Sequence, residues 1–203
     1  MGLRVGRTRL RGRSADARWD VAVPVFSGAP AAAEANRRVR AAADDLIAQV
    51  RREAGGDSGV RRTLTGDGRV GTNDGRTVQV VITFVDDLAG TAHPALYVTT
   101  TVVDVGRVRP VLLSQVVQDP PEGLRFLRTE VLRAARRKGD TVDADGLAPE
   151  LVNWANWQTT RDGMTFHFND YQLGGFGLRS YSVPWKRARL ILSAYGEKLL
   201  LPR

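Results

Sequence analysis

The stretch RWDVAVPVFSGAPAAAEANRRVRAAADDLIAQV, residues 18–50, changes its hydrophobic period partway along, and that change decides the fold class. In its first part Trp19, Val21, Val23 and Val25 alternate with their neighbours, the two-residue period of a half-buried strand. Pro24 has no N–H to give to a sheet ladder, so this strand is expected to lie at an edge or to end there. After Ser27-Gly28-Ala29-Pro30 the period lengthens. Ala35, Val39, Ala42, Ala43, Leu46, Ile47 and Val50 fall on one helical face, with Pro30 suited to the first turn. A strand followed by a long amphipathic helix, expected to stop at Gly55-Gly56, sets the frame for the rest of the chain.

Outward from that frame, residues 3–11 are also extended in character. Residues 60–75 are turn-rich, with Asp67-Gly68 and Asp74-Gly75 as hairpin signals. TVQVVITFVDD (77–87) and ALYVTTTVVDVGRVRPV (95–111) read as long strands joined by the loop LAGTAHP, and Gly106 is placed for a turn with positive φ. DPPEGLRFLRTEVLRAARRKG (119–139) has Asp119 as N-cap, Pro120 in the first turn, Glu122 three residues on and Gly139 past the end, with Leu124, Leu127, Val131, Leu132 and Ala135 as its apolar stripe. MTFHF and SYSVP are strands, and a short helix starts near Trp185. The expected fold class is α+β: a mixed or antiparallel sheet packed by two main helices plus a short C-terminal helix, in one domain over residues 1–203. Residues 1–18 form an Arg-rich N-terminal segment, either an extra strand or flexible.

The composition is that of an ordinary globular chain, and the net charge of +8 biases its surface toward anionic partners. Of the 30 basic residues only Lys138, Lys186 and Lys198 are lysine, a skew that matches a GC-rich, actinobacterial type of genome. With no cysteine, disulfides, thiolate metal sites and cysteine nucleophiles are excluded. The longest apolar runs have the length of strands, not of membrane helices. The N-terminus is charged and lacks an apolar signal core, so the chain is expected either to be cytoplasmic or to have lost a leader.

Several motifs invite a chemical reading. GGDSGV (55–60) contains the tetrapeptide that carries the nucleophile of chymotrypsin-type proteases, but no histidine precedes Ser58, and a turn after the first helix accounts for it. DTVDADGLAPEL resembles a calcium loop at Asp143, Asp145 and Gly146, yet it lacks the first ligand and the closing glutamate. Asp44/Asp45 and Asp86/Asp87 are adjacent pairs whose side chains point apart, which reads as surface solvation. Six arginines lie in the first 18 residues without interleaved aromatics, so a stacking platform for single-stranded nucleic acid is missing. Eight of the 14 aromatic residues lie between Trp154 and Trp185. Met164, Phe166 and Phe168 share one strand face, while Thr165, His167 and Asn169 share the other and, with Tyr171, are candidates to line a ligand groove.

The order of these features resembles a known family. VAVPVFSG, a helix carrying Asn36, His93-Pro94 before a strand ending at Asp104 and a turn at Gly106, NWQTTRDGMTFHFNDYQLG and SYSVPW follow one another as in the extracytoplasmic domain of RsiV-type anti-sigma factors and the related secreted mycobacterial immunogenic proteins. The matching residues are Pro24, Asn36, His93-Pro94, Asp104, Gly106, Trp157, Asp162-Gly163, Phe166, Phe168, Tyr171 and Val183-Pro184. The resemblance implies helices against a sheet, export across the membrane and no catalytic residues. RsiV-type proteins bind lysozyme through this domain. YQLGGFGLRSY (171–181) departs from the family, which has an acidic residue, a proline and a small-residue turn there.

The reading is therefore a non-enzymatic, secreted or cell-surface binding domain, with His93, Tyr97, Trp154, His167, Asn169 and Tyr171 as ligand-binding candidates. Its ligand is expected to be a protein or an anionic cell-envelope polymer. No cofactor, metal or membrane-spanning segment is expected, nucleic acid is disfavoured, and the chain is expected to be a monomer. The alternatives are a serine esterase using His93 or His167 and a polyanion binder using the Arg-rich ends.

Overall fold

The computed structural model describes residues 2–54 and 61–202. Ser58 and the Gly55-Gly56 stop lie outside the described residues. The elements run β1 (Arg4–Arg13), β2 (Ala17–Ser27), α1 (Ala31–Ala54), β3 (Arg62–Asn73), β4 (Thr77–Leu88), β5 (Ala95–Asp104), β6 (Arg109–Pro110), α2 (Leu113–Val116), α3 (Pro120–Lys138), β7 (Trp157–Thr159), β8 (Gly163–Phe168), β9 (Arg179–Pro184), α4 (Trp185–Ala188) and α5 (Ala194–Leu200). The first six strands form one sheet in sequence order, and β7–β8–β9 form a second, antiparallel sheet. Only β2 and β3 pair in parallel, because α1 carries the chain across between them. The fold class is α+β, as the period change at residue 28 implies.

Helix α1 covers the large sheet. Ala35, Val39, Ala43, Ile47 and Val50 are buried against Val21, Leu64, Val80, Ile82 and Phe84. Asn36 fixes the angle of entry: its Oδ1 accepts from the Phe26 N–H at 2.7 Å and its Nδ2 donates to the Phe26 carbonyl at 2.9 Å. In α3 the Asp119 carboxylate accepts from the Glu122 N–H at 3.1 Å, and Gly139 closes the helix with φ 74°, as the sequence signals require. This helix belongs to a second apolar cluster, with Leu124, Leu127 and Val131 packed alongside Trp154, Phe166, Phe168 and Tyr181. β5 contributes to both clusters, through Val102 and Val103.

Three local readings are corrected. β2 is an interior strand between β1 and β3, and Pro24 lies beyond the last β2–β3 partner pair, Ala22 with Asp67, so no N–H is needed there. Asp67-Gly68 is no turn, because β3 runs through it. Gly66 and Gly68 are there for space: a Cβ would come within 2.9 Å of Val21 and Phe84 at the first and of the Pro24 ring at the second. In the turn after β5 the left-handed residue is Val108, φ 50°, not Gly106, because Asp104 Oδ1 holds the Arg107 N–H at 2.9 Å and the reversal falls one residue later.

The second sheet seals an edge of the first. β6 covers only the end of β5, pairing with Val103 and Asp104. Nearer its start, the Val98 N–H donates to Asn169 Oδ1 at 2.8 Å and the Thr100 N–H to Asn156 Oδ1 at 3.1 Å. The Trp157 N–H donates to Thr100 Oγ1 at 2.9 Å, and the Asp170 N–H to the Leu96 carbonyl at 3.1 Å. Fully buried Gln79 adds a second tie: its Oε1 accepts from the Thr159 N–H and its Nε2 donates to Thr159 Oγ1, both at 2.6 Å. Replacing Asn156 or Asn169 by alanine is expected to cost about 1–3 kcal/mol each, since each leaves a backbone N–H of β5 without its acceptor. A lowered urea midpoint at unchanged cooperativity is the readout.

Candidate functional site

Two loops meet at the start of β5. The β4–β5 connection brings His93, and the β8–β9 connection brings Tyr171 and Phe176. The second loop is a tight knuckle. Asp170 Oδ1 accepts from the Gly177 N–H at 2.6 Å, the Gln172 N–H donates to the Asn169 carbonyl at 3.1 Å, and the Gly174 N–H donates to the Tyr171 carbonyl at 3.0 Å. Tyr171 has φ 59°, a left-handed conformation that costs a non-glycine residue on the order of 1 kcal/mol or more. Asp170 Oδ2 is buried without a hydrogen-bond partner among the described residues.

The result is a group of three rings. His93 Nε2 lies 2.8 Å from the Tyr171 hydroxyl, and its Nδ1 lies 3.2 Å from the Pro94 carbonyl. A carbonyl can only accept, so the ring proton sits on Nδ1 and the tyrosine donates to Nε2. Phe176 packs on His93 with ring centroids 4.4 Å apart and faces Tyr171 at 6.4 Å. Tyr171 and Phe176 remain 54% and 50% exposed, unlike Trp154, Phe166 and Phe168. Such a cluster offers flat apolar surface with one hydroxyl at its rim, on side chains with little rotamer freedom to lose.

The other candidates are placed differently. Asn169 is the edge cap of β5. Trp154 is buried, edge-on to Phe166 and Phe168, with its Nε1–H donating to the Ala148 carbonyl at 3.0 Å. Half-buried Tyr97 has its phenol pushed up by desolvation and then by the carboxylate of Asp86. Asp86 itself corrects the reading of Asp86/Asp87 as a solvated pair. It is buried and takes a bidentate fork from Arg62, whose guanidinium is held above its ordinary value by that hydrogen bond. From Tyr97 and Asn169 an open cleft of about 810 Å³ runs between α1 and β5, floored by Thr99 and Thr101 and bounded by Leu112.

His167 lies on the polar face of the second sheet. Its Nε2 is 3.1 Å from the Gln158 amide nitrogen and its Nδ1 is 2.8 Å from Ser180 Oγ. The amide donates to Nε2, so the proton is on Nδ1 and the imidazole donates to the serine. A general base would need a lone pair at that position. Among the described residues no group of three or more His, Cys, Asp or Glu side chains is placed to hold a metal ion. No helix among the described residues is long and apolar enough to cross a membrane.

Sequence reasoning chose His93 and Tyr171, which the fold brings together, and passed over Phe176. The available signal was Gly174-Gly175-Phe176-Gly177, a lone aromatic among residues that reach φ 73°, 72° and 108°.

No family model and no curated protein matches this sequence. The fold does have solved counterparts. A DUF3298 family protein from Pseudomonas aeruginosa PAO1 is similar with TM-score 0.67 and 13% identity, covering 99% of this chain and 98% of that one. A member of the DUF3298 family from Bacteroides fragilis NCTC 9343 is similar with TM-score 0.64 and 15% identity, covering 98% and 96%. DUF3298 proteins are RsiV-like domains, so the fold implied by the order of motifs is the fold observed.

Burial holds the His167 pKa below the ordinary histidine value of 6.5. The neutral ring is favoured in the folded state, so its contribution is complete above 6.5 and is lost as pH falls through the lower folded value. Between about pH 7.5 and about pH 5 the wild type is expected to lose stability that His167→Gln does not lose. Urea unfolding of both proteins across that range is the check.

Proposed function

We propose that the chain is a non-enzymatic extracytoplasmic binding domain, secreted or held at the cell surface, that meets a protein ligand at the His93–Tyr171–Phe176 knuckle. The observation that carries this is the exposed three-ring cluster, held by a carboxylate-tied loop in a conformation that tyrosine does not favour. The rings of Tyr171 and Phe176 stand outside both cores, which their loop enters through Leu173. Strain kept at an exposed aromatic patch suits a preorganised contact surface, and tyrosine and phenylalanine are enriched at the centres of such surfaces. The resemblance to RsiV-type domains supports a protein ligand and export. The charge of +8 favours a neutral or acidic partner over a basic one such as common lysozymes.

The test is retention of the purified chain on secreted and cell-envelope fractions at low and at high salt. Contact through the rings survives high salt, and Tyr171→Ala and Phe176→Ala each weaken it at least about tenfold, as for aromatic anchors in other interfaces. Retention unchanged in the double variant, or a cytoplasmic location of the native product, overturns the reading. So does hydrolysis of p-nitrophenyl acetate that Ser180→Ala abolishes.

A further inference from the structure

The two faces of the large sheet differ. One is covered by α1, and the β4–β5 end of the other is covered by the second sheet through Gln79, Thr100 and Trp157. The β1–β3 end of that second face is open. Along β1 the two-residue period sends Arg7, Arg9, Arg11 and Arg13 to this face at intervals of about 6.7 Å. The register adds Arg18, opposite Arg13, and Asp20, opposite Arg11. Strand β3 adds Asp67 and Arg69.

Two carboxylates thus share this face with six guanidinium groups and pair with four of them. Asp20 accepts from Arg9 Nε at 2.7 Å and Arg11 Nε at 3.3 Å, while Asp67 is shared by Arg7 and Arg69. Arg9 and Arg11 use only their Nε–H in these bonds, which fixes the planes of the forks and leaves the terminal NH₂ groups toward solvent. Arg13 and Arg18 face each other across the strands with no ion pair among the described residues. Like charges directly opposite destabilise a sheet. Charged side chains on an edge strand also deter edge-to-edge pairing.

We infer that the open β1–β3 face binds a base-free linear polyanion, a chain of phosphodiesters of the poly(glycerol phosphate) type. Arginine forks meet phosphate oxygens in pairs, and a chain with one charge per short repeat can engage successive arginines along a strand. Nucleic acid is the poorer fit. Over Arg7–Arg13, Arg18–Pro24 and Thr63–Arg69 the residues sent to this face are Arg, Asp, Thr, Ala and Pro, and Phe26 beyond them, in register with Val5, is buried, so bases find no exposed ring to stack on; Trp19 lies on the other side, against Arg51 of α1. The surface is at the opposite edge of the sheet from His93 and Tyr171 and does not depend on their role.

The test measures binding of the whole chain to poly(glycerol phosphate), to oligothymidylate of equal charge and to phosphatidylglycerol vesicles, at about 50 mM and about 300 mM salt. The polymer should bind most tightly, with log affinity falling linearly in log salt concentration. Arg13→Ser with Arg18→Ser, which breaks no ion pair, and Arg9→Ser with Arg11→Ser should each lower affinity about tenfold or more and flatten the salt dependence. Tyr171→Ala with Phe176→Ala should leave polymer binding at wild-type strength, which separates this surface from the aromatic knuckle. Absence of polymer binding, wild-type affinity in both serine variants, or tighter binding of oligothymidylate or vesicles overturns the inference. If the serine variants gain stability while polymer affinity is unchanged, the arginines only guard the edge.

Discussion

The unpaired backbone of β5 is the constraint from which most of this structure follows. A strand at the edge of a sheet presents N–H and C=O groups that must be paired, covered or left to water. Here β6 satisfies only the last two residues, and the segment from Leu96 to Thr100 is closed by Asn156, Trp157, Asn169 and Asp170. Because those donors and acceptors come from the second sheet, sealing the edge also fixes where the second sheet stands. Val102 and Val103, neighbours on one strand, then point into different cores. The same Asn169-Asp170 pair starts the loop that carries Tyr171 and Phe176, so the aromatic cluster takes its position from the edge cap.

What could be read in the sequence divides along the same line. Helices α1 and α3 were legible because their signals are local: a 3.6-residue apolar stripe and a proline at the start of each, and for α3 a carboxylate N-cap and a glycine at its end. Features set by distant partners were not. Gly66 and Gly68 read as turn residues, yet they make room for Phe84 and Pro24. Pro24 read as an edge marker because nothing local shows where β3 stops pairing. Asn169 and Trp154 read as site residues, since their partners are the Val98 amide and the Ala148 carbonyl, one of them 71 positions away. His93 and Tyr171 were legible as chemistry-bearing residues, but their contact spans 78 positions and only folding supplies it.

Several motif residues that carry the family resemblance turn out to be structural joints. Asn36 ties α1 to the end of β2, Asp104 holds the turn after β5 and accepts from the Tyr195 hydroxyl at 2.8 Å, and Phe166 and Phe168 fill the second core. The departing stretch YQLGGFGLRSY covers the loop that carries the exposed rings and the start of β9, and it still supplies Leu173 and Tyr181 to the second core.

The excess of arginine is unevenly used. Arg62 is taken up by buried Asp86, Arg133 and Arg187 by buried Glu130, and Arg37 and Arg38 by Glu34. In each case the carboxylate is the buried member, so the guanidinium answers a desolvated charge and is not free for a ligand. On β1–β3 the two carboxylates are themselves partly exposed, and the exposed guanidinium groups outnumber them. A net charge of +8 by itself says only that the surface is cationic. Subtracting the arginines already committed to buried carboxylates turns that whole-chain number into a surface with a location, the β1–β3 end of the large sheet's second face, which no other element covers among the described residues.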